Sequence, residues 1–209
     1  LLRCGLRVGV MNRDIPGPVL AHAVIRSRAH AALYFSAGYR ARSMNGLKIF
    51  NASGCPVLPS RTLLIEEEWN RLAEAEWTPG YPDFSRIKTL HPRESYLDDL
   101  RRQMDWNTIR RNTGRVVLDN RYGSAREYLD DILADAGVSV LALRNYPSWG
   151  INGTGKHVPH EELRAEVLAA PTCLGLSMDV DGHRTTVLDG EGRLLHHGET
   201  AALIATHLV

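Results

Sequence analysis

The stretch Met178-Asp-Val-Asp-Gly-His-Arg184 holds the densest set of chemically capable groups in this sequence. Asp179 and Asp181 stand two residues apart, and Gly182, His183 and Arg184 follow. The preceding Leu174–Ser177 has strand character, interrupted only by Gly175. A strand that ends in a turn can aim both carboxylates at one point, with His183 in reach. Such a group can hold a divalent cation, and the adjacent Arg184 suits an anionic substrate. The plainer reading is a solvated acidic turn. Asp119 closes the apolar run Val116-Val-Leu118, and in α/β sheets ligands collect beyond the carboxyl ends of strands. Its plainer reading is a cap or turn carboxylate.

Positioning these residues requires alternating strands and helices. Arg7–Met11 reads as a strand, Asp14-Ile-Pro-Gly-Pro as a turn, and Val19–Arg28 as a helix entered through the prolines. Ala31–Phe35 reads as a buried strand. Asn45-Gly-Leu-Lys-Ile-Phe50 reads as an Asn-Gly turn followed by a strand, a hairpin signal. Thr62–Trp77 has helical spacing with Leu64, Trp69 and Leu72 on one side. Trp77–Pro92 is rich in proline, glycine and polar residues and reads as a linker, with a helix over Arg93–Arg111 beyond it. Strand Arg115–Asp119, helix Ser124–Ala136, strand Val138–Leu143, helix Pro159–Ala169 and strands Thr172–Met178 and Thr185–Leu188 complete the rhythm. The Asp189-Gly-Glu-Gly192 turn follows, with His196-His197 in a loop. Alternation of this kind means sheets covered by helices.

The 209 residues suffice for one large or two small domains with real cores, at 44% hydrophobic content. A net charge of +1 gives no electrostatic case for nucleic acid or an anionic membrane. Lys48, Lys88 and Lys156 are the only lysines. Cys4, Cys55 and Cys173 are too few and too scattered for a disulfide framework or a CxxC site, which fits a cytoplasmic location. No apolar run reaches the length of a membrane span, and the first residues are too short and interrupted for a signal peptide. The start on leucine and the close inside an apolar helical pattern, Ala201–Val209, lead to the expectation of a piece of a longer protein.

Three stretches carry a resemblance to the α-D-phosphohexomutase family, which includes phosphoglucomutase and phosphomannomutase. Asn45–Phe50 resembles the family's NGxKI segment. Arg115–Asp119 with Gly123 resembles the first strand and glycine turn of its second domain. Leu174–Gly192 resembles its magnesium loop, DGDGDR, with the flanking strand and hairpin. The resemblance implies two phosphohexomutase-type α/β/α domains with mixed sheets flanked by helices. Residues 1–91 would form an incomplete first domain, and residues 92–209 a second that carries the metal-loop remnant. The family's third and fourth domains, which read the sugar and clamp its phosphate, have no counterpart.

Family members transfer a phosphoryl group from a phosphoserine to a hexose monophosphate, an isomerase chemistry that rests on positioning and charge neutralisation. Aligned from Asn45-Gly46, the family's serine loop falls on Ser36-Ala-Gly-Tyr-Arg-Ala41. Gly38 then stands at the serine and Tyr39 at the histidine, so the nucleophile is lost. Ser36 shares a face with position 38, but lies roughly 6–7 Å away along an extended chain, a poor substitute. Asp179 and Asp181 match the first two metal-loop aspartates, His183 replaces the third, and Arg184 matches the substrate-contacting arginine. Mg²⁺ would bind weakly, because imidazole replaces a carboxylate; the altered set could instead take Zn²⁺ or Mn²⁺ adventitiously, or hold no metal. Lys48 matches the lysine near the phosphoryl group, a proton shuttle in the family.

The expectation is therefore a phosphohexomutase-like protein without mutase activity in this chain, retaining weak metal or phosphosugar binding. Homo-oligomers, or missing domains supplied by a longer chain, fit as partners. A non-catalytic structural or interaction module of the same fold is the main alternative. A haloacid-dehalogenase-like phosphatase with Asp179 as nucleophile fits Asp179-Val-Asp-Gly182 locally, but that motif normally opens its domain.

Overall fold

A computed structural model describes residues 1–36, 38, 45–75, 77–112, 114–148, 160–170 and 174–208. Tyr39, Lys156 and Cys173 lie outside the described residues. The architecture is mixed α/β. Its largest sheet has four strands in the order β6 (Val140–Leu143), β5 (Val116–Asp119), β7 (Leu174–Met178), β8 (Thr185–Leu188) among the described residues. β5 runs parallel to both neighbours, and β8 adds antiparallel to β7. The near-continuous apolar composition of Val116-Val-Leu-Asp119 has this cause: the strand is buried along its whole length.

Helices cover both faces of this sheet. Leu163 and Val167 of α6 (Glu161–Leu168) pack on Val117 and Leu188. On the opposite face Val116 meets Leu133 of α5 (Leu129–Asp135), with Trp106 and Ile109 of α4 (Trp106–Asn112) alongside. Gly175, which interrupts the apolar pattern of β7, is where α6 comes closest. A Cβ there would lie 2.7 Å from Val167 Cγ2 and 3.2 Å from Leu188 Cβ.

The amino-terminal half forms two ribbons. β1 (Val8–Met11) pairs parallel with β4 (Ile87–Leu90), and β2 (Ala31–Phe35) pairs antiparallel with β3 (Leu47–Asn51). α1 (Gly17–Ser27) buries Leu20, Ala23 and Val24, an i, i+3, i+4 stripe. Its core also contains Ile15, Phe50, Leu97 of α3 (Arg93–Gln103), Tyr128 and Ile132. The apolar core thus continues across the Trp77–Pro92 segment. No helix among the described residues is long and apolar enough to cross a membrane.

Several expectations need correction. Ala31–Phe35 is not fully buried but alternates exposed and half-buried residues, because α1 covers one face only. Asn45-Gly46 is not a two-residue hairpin turn. Phe35 pairs with Leu47, and the Ser36 N–H donates to the Gly46 carbonyl, so the strands are joined by the whole 36–46 segment. The expected linker contains β4, which its Ile-Lys-Thr-Leu pattern permits and pairing with β1 fixes. The expected helix over 93–111 is two helices. Asp105 ends the first by capping the second, accepting from the N–H groups of Asn107 and Thr108. α2 (Pro59–Glu74) buries none of its residues, and Leu64 and Trp69 are exposed. His197 opens α7 (His197–Leu208) rather than sitting in a loop.

Gly175→Ala should cost about 1–3 kcal/mol through forced displacement of Val167 and Leu188. Urea unfolding monitored by tryptophan fluorescence measures this; an unchanged midpoint would show that α6 has slack over β7.

Candidate functional site

β7 ends at Met178 and β8 returns at Thr185, paired with it, so Asp179–Arg184 must turn sharply. Asp179 builds the turn. Its N–H donates to the Arg184 carbonyl at 2.9 Å, and its own carbonyl accepts from the Gly182 N–H at 3.0 Å. Its Oδ1 accepts from the main-chain N–H groups of His183 (2.6 Å) and Arg184 (3.1 Å). Gly182 adopts φ +67°, where a side chain is strained. The following turn repeats the device: Asp189 Oδ1 accepts from the N–H groups of Glu191 and Arg193, with Gly192 at φ +74°. Asp179 is thus the brace of its loop.

Asp181 points elsewhere and is only 8% exposed. Ser36 Oγ, just beyond β2, lies 2.7 Å from both carboxylate oxygens and donates its proton to one at a time. The Gly38 N–H donates to Ser36 Oγ at 2.9 Å. Lys48 Nζ, from β3, stands 3.2 Å from Asp181 Oδ2 and 5.6 Å from the centroid of the Tyr34 ring, a cation–π position. Tyr34 and Lys48 are directly paired across the β2–β3 ribbon, which places both at this point. The sequence reading put Ser36 and Lys48 in separate roles; the fold brings them to one carboxylate.

His183 and Arg184 do not join that contact as closely. His183 Nδ1 is 3.9 Å from Asp181 Oδ2, and its ring sits edge-on to Tyr34 at 6.4 Å. Its Nε2 fills the space beside Gly17, 1.9 Å from where a Cβ would stand. Arg184 is exposed. The metal set expected from Asp179, Asp181 and His183 does not converge here. Asp179 Oδ1 faces its own loop's amides, and Asp181 faces a hydroxyl and an ammonium. Among the described residues no three His, Cys, Asp or Glu side chains group to hold a metal ion. The donor arrangement does not fit the near-octahedral oxygen shell of Mg²⁺.

The loop is gripped from two sides by residues to which the sequence assigned no role at the site. The Gly17 N–H, at the start of α1, donates to the Asp181 carbonyl at 3.2 Å, and Pro16 packs against Gly182. From the other side Ser124 donates its N–H (2.8 Å) and its hydroxyl (3.0 Å) to the Val180 carbonyl. A Cβ on Gly123 would lie 2.6 Å from Val180 Cα. Arg126, 4% exposed, bolts the two grips together. It donates to both Asp14 oxygens at 2.8 Å, and to the carbonyls of Tyr122 (2.6 Å) and Gly123. Asp14-Ile-Pro-Gly-Pro was legible as a helix entry. Nothing local in the sequence pairs Asp14 with a residue so distant in the chain.

Asp119 does serve its turn, accepting from the Arg121 N–H at 2.9 Å, but it also forms a buried bidentate pair with Arg144 at 2.8 and 2.6 Å. A cavity of about 450 Å³ opens beside the site, with Met11, Tyr34 and Phe35 on one wall and Ser124, Val180 and Asp181 on the other. Burial raises the Tyr34 phenol well above its ordinary pKa, with the Asp181 charge adding. Burial likewise pushes Tyr128 up to about 12.

The clamp and the buried phenol can each be tested. Arg126→Lys keeps the charge but loses the fork. It should speed hydrogen exchange at the Gly17 and Ser124 amides by about tenfold while Val117 and Leu118 in β5 hold, since about 1.4 kcal/mol of local opening is a factor of ten. Uniform acceleration would reduce Arg126 to general stability. At alkaline pH, a phenol whose folded pKa is raised contributes stability that is complete below about 10 and is lost as pH climbs toward the folded value. In an ultraviolet titration Tyr34→Phe should therefore remove phenolate absorbance from the last-titrating fraction; loss from the early fraction would contradict the burial of Tyr34.

The sequence matches no family model, but comparison with known proteins finds sugar-phosphate mutases. The phosphoglucosamine mutase of Methylobacillus flagellatus is 27% identical over 97% of this chain and 45% of its own length. That of Synechococcus sp. (strain RCC307) is 29% identical over 86% of this chain and 38% of its own. Among solved structures, a Thermus thermophilus protein assigned as a phosphomannomutase superposes with TM-score 0.79 at 22% identity, covering 99% of this chain and 48% of that one. The open form of parafusin, a phosphoglucomutase of Paramecium, superposes with TM-score 0.73 at 16% identity over 95% of this chain. At these identities the structures establish the fold. The chain spans less than half the length of these relatives.

Proposed function

We propose that this chain, which its relatives support as a partial member of the α-D-phosphohexomutase family, binds hexose phosphates weakly and does not carry out mutase turnover by itself. The observation that carries this reading is the meeting of Ser36, Lys48 and Asp181 at the carboxyl end of β7. β5 and β7 form the switch point of the sheet, because the chain leaves β5 toward β6 and returns on its other side; ligands bind at such crevices. In this reading Lys48, whose side chain is 41% exposed, and Arg184 contact the phosphate. Gly38 offers no nucleophile, and the nearby Ser36 hydroxyl is hydrogen-bonded to Asp181. Residues 1–91 and 92–209 act as the two parts of the site, joined by the gripped loop and by the apolar core they share.

Lys48 and Arg184 carry two formal positive charges, and Asp179 and Asp181 carry two negative ones. A dianion meets no net attraction, and the expected dissociation constant is on the order of millimolar. A phosphatase mechanism with Asp179 as nucleophile is disfavoured, because its motif normally opens the domain, whereas Asp179 follows β7, late in the fold. One observation favours the second reading, an interaction module: α2 exposes Leu63, Leu64 and Trp69 and buries nothing.

Calorimetry with glucose 1-phosphate and mannose 1-phosphate should detect weak binding. Lys48→Met should reduce it by about tenfold or more, the worth of a hydrogen bond to a charged group. Coupled assays with a bisphosphate activator and Mg²⁺ should show no mutase turnover. Substantial turnover abolished by Ser36→Ala would overturn the proposal.

A further inference from the structure

We propose that the Lys48 ammonium is the resident cation of this site, bridging the Asp181 carboxylate to an incoming phosphate where a divalent ion would otherwise stand. This rests on the reading of the site as a phosphate site and names the cation that serves it. A metal in phosphate chemistry neutralises a carboxylate on one side and phosphate oxygens on the other. Lys48 is placed for both tasks. Its Nζ lies 3.2 Å from Asp181 Oδ2 and above the Tyr34 ring, while its side chain keeps 41% exposure. An ammonium has three N–H donors, so the contact to Asp181 leaves donors for an anion.

The geometry also opposes a divalent ion at Asp181. Such an ion would have to share the Asp181 carboxylate with Lys48 and Ser36, within a few ångströms of a like charge. Among the described residues no three His, Cys, Asp or Glu side chains group to hold it, and one Asp179 oxygen already accepts from the amides of His183 and Arg184. Mg²⁺ needs a near-octahedral oxygen shell, whereas an ammonium is a point charge with no such demand. Asp181 in turn needs some cation, because a nearly buried carboxylate without one is costly.

The test uses the full chain and inorganic phosphate, with binding followed by ³¹P NMR in EDTA and in excess Mg²⁺. The expected affinities agree within about twofold under the two conditions. Melting of the wild-type chain should not respond to Mg²⁺. Lys48→Met, or Lys48→Gln should the first fail to fold, should lose phosphate binding and acquire a melting temperature that rises with Mg²⁺, because Asp181 then recruits a cation from solution. Phosphate binding that appears only with Mg²⁺ would overturn the proposal. So would Mn²⁺-induced broadening of the Gly182 and Arg184 amides in the wild type that Asp181→Asn abolishes. Absence of phosphate binding under both conditions would sink the phosphate reading itself. The Mg²⁺ response of the two melting temperatures would still decide the cation: flat in wild type and rising in the variant supports Lys48, and a rise in wild type overturns it.

Discussion

The Asp181 carboxylate is the joint on which the candidate site depends. It comes from the sheet of the carboxyl-terminal half, yet its partners Ser36 and Lys48 come from the β2–β3 ribbon of the other half. A nearly buried carboxylate cannot be left without partners. The need to satisfy it therefore fixes the ribbon against the loop. The same requirement orders Tyr34, which lies under Lys48, and His183, which fills the space that Gly17 leaves open.

Around that joint the protein separates two tasks that the sequence Asp-Val-Asp places side by side. Asp179 makes the turn and Asp181 makes the contact across the halves. A strand's alternation would have put i and i+2 on one face. The chain has already left β7 at Asp179, so the alternation no longer applies, and Gly182 in the left-handed region turns the backbone. The expected metal set is for that reason not grouped among the described residues. Arg126 works at longer range. By tying Asp14 to the Gly123 turn it makes one clamp out of two grips on Val180–Gly182, and a planar guanidinium with fixed donors suits this better than a flexible ammonium.

Much of the fold was legible because its signals are local. The apolar run at Val116–Leu118, the glycine turns at Gly182 and Gly192, and the proline entry to α1 each state their conformation within a few residues. The family resemblance drawn from Asn45–Phe50, Arg115–Gly123 and Leu174–Gly192 agrees with phosphoglucosamine mutases covering nearly the whole chain. The partnerships were not legible, because they join residues far apart in sequence. The resemblance put Lys48 and Asp181 at one site but not in contact, and that contact, Asp14 with Arg126 and β1 with β4 are set by packing. The hidden strand in Trp77–Pro92 shows the same limit: Ile87–Leu90 becomes a strand only because β1 offers an edge.

If the Lys48–Asp181 contact marks an anion-binding site, a hexose phosphate must be felt there first. Amide chemical shifts of the chain during titration with such a ligand test this most directly. The expected result is shifts that saturate together at Gly38, Gly182 and Arg184, with α2 silent. Shifts centred on α2, or none near the loop at concentrations well above millimolar, would contradict it.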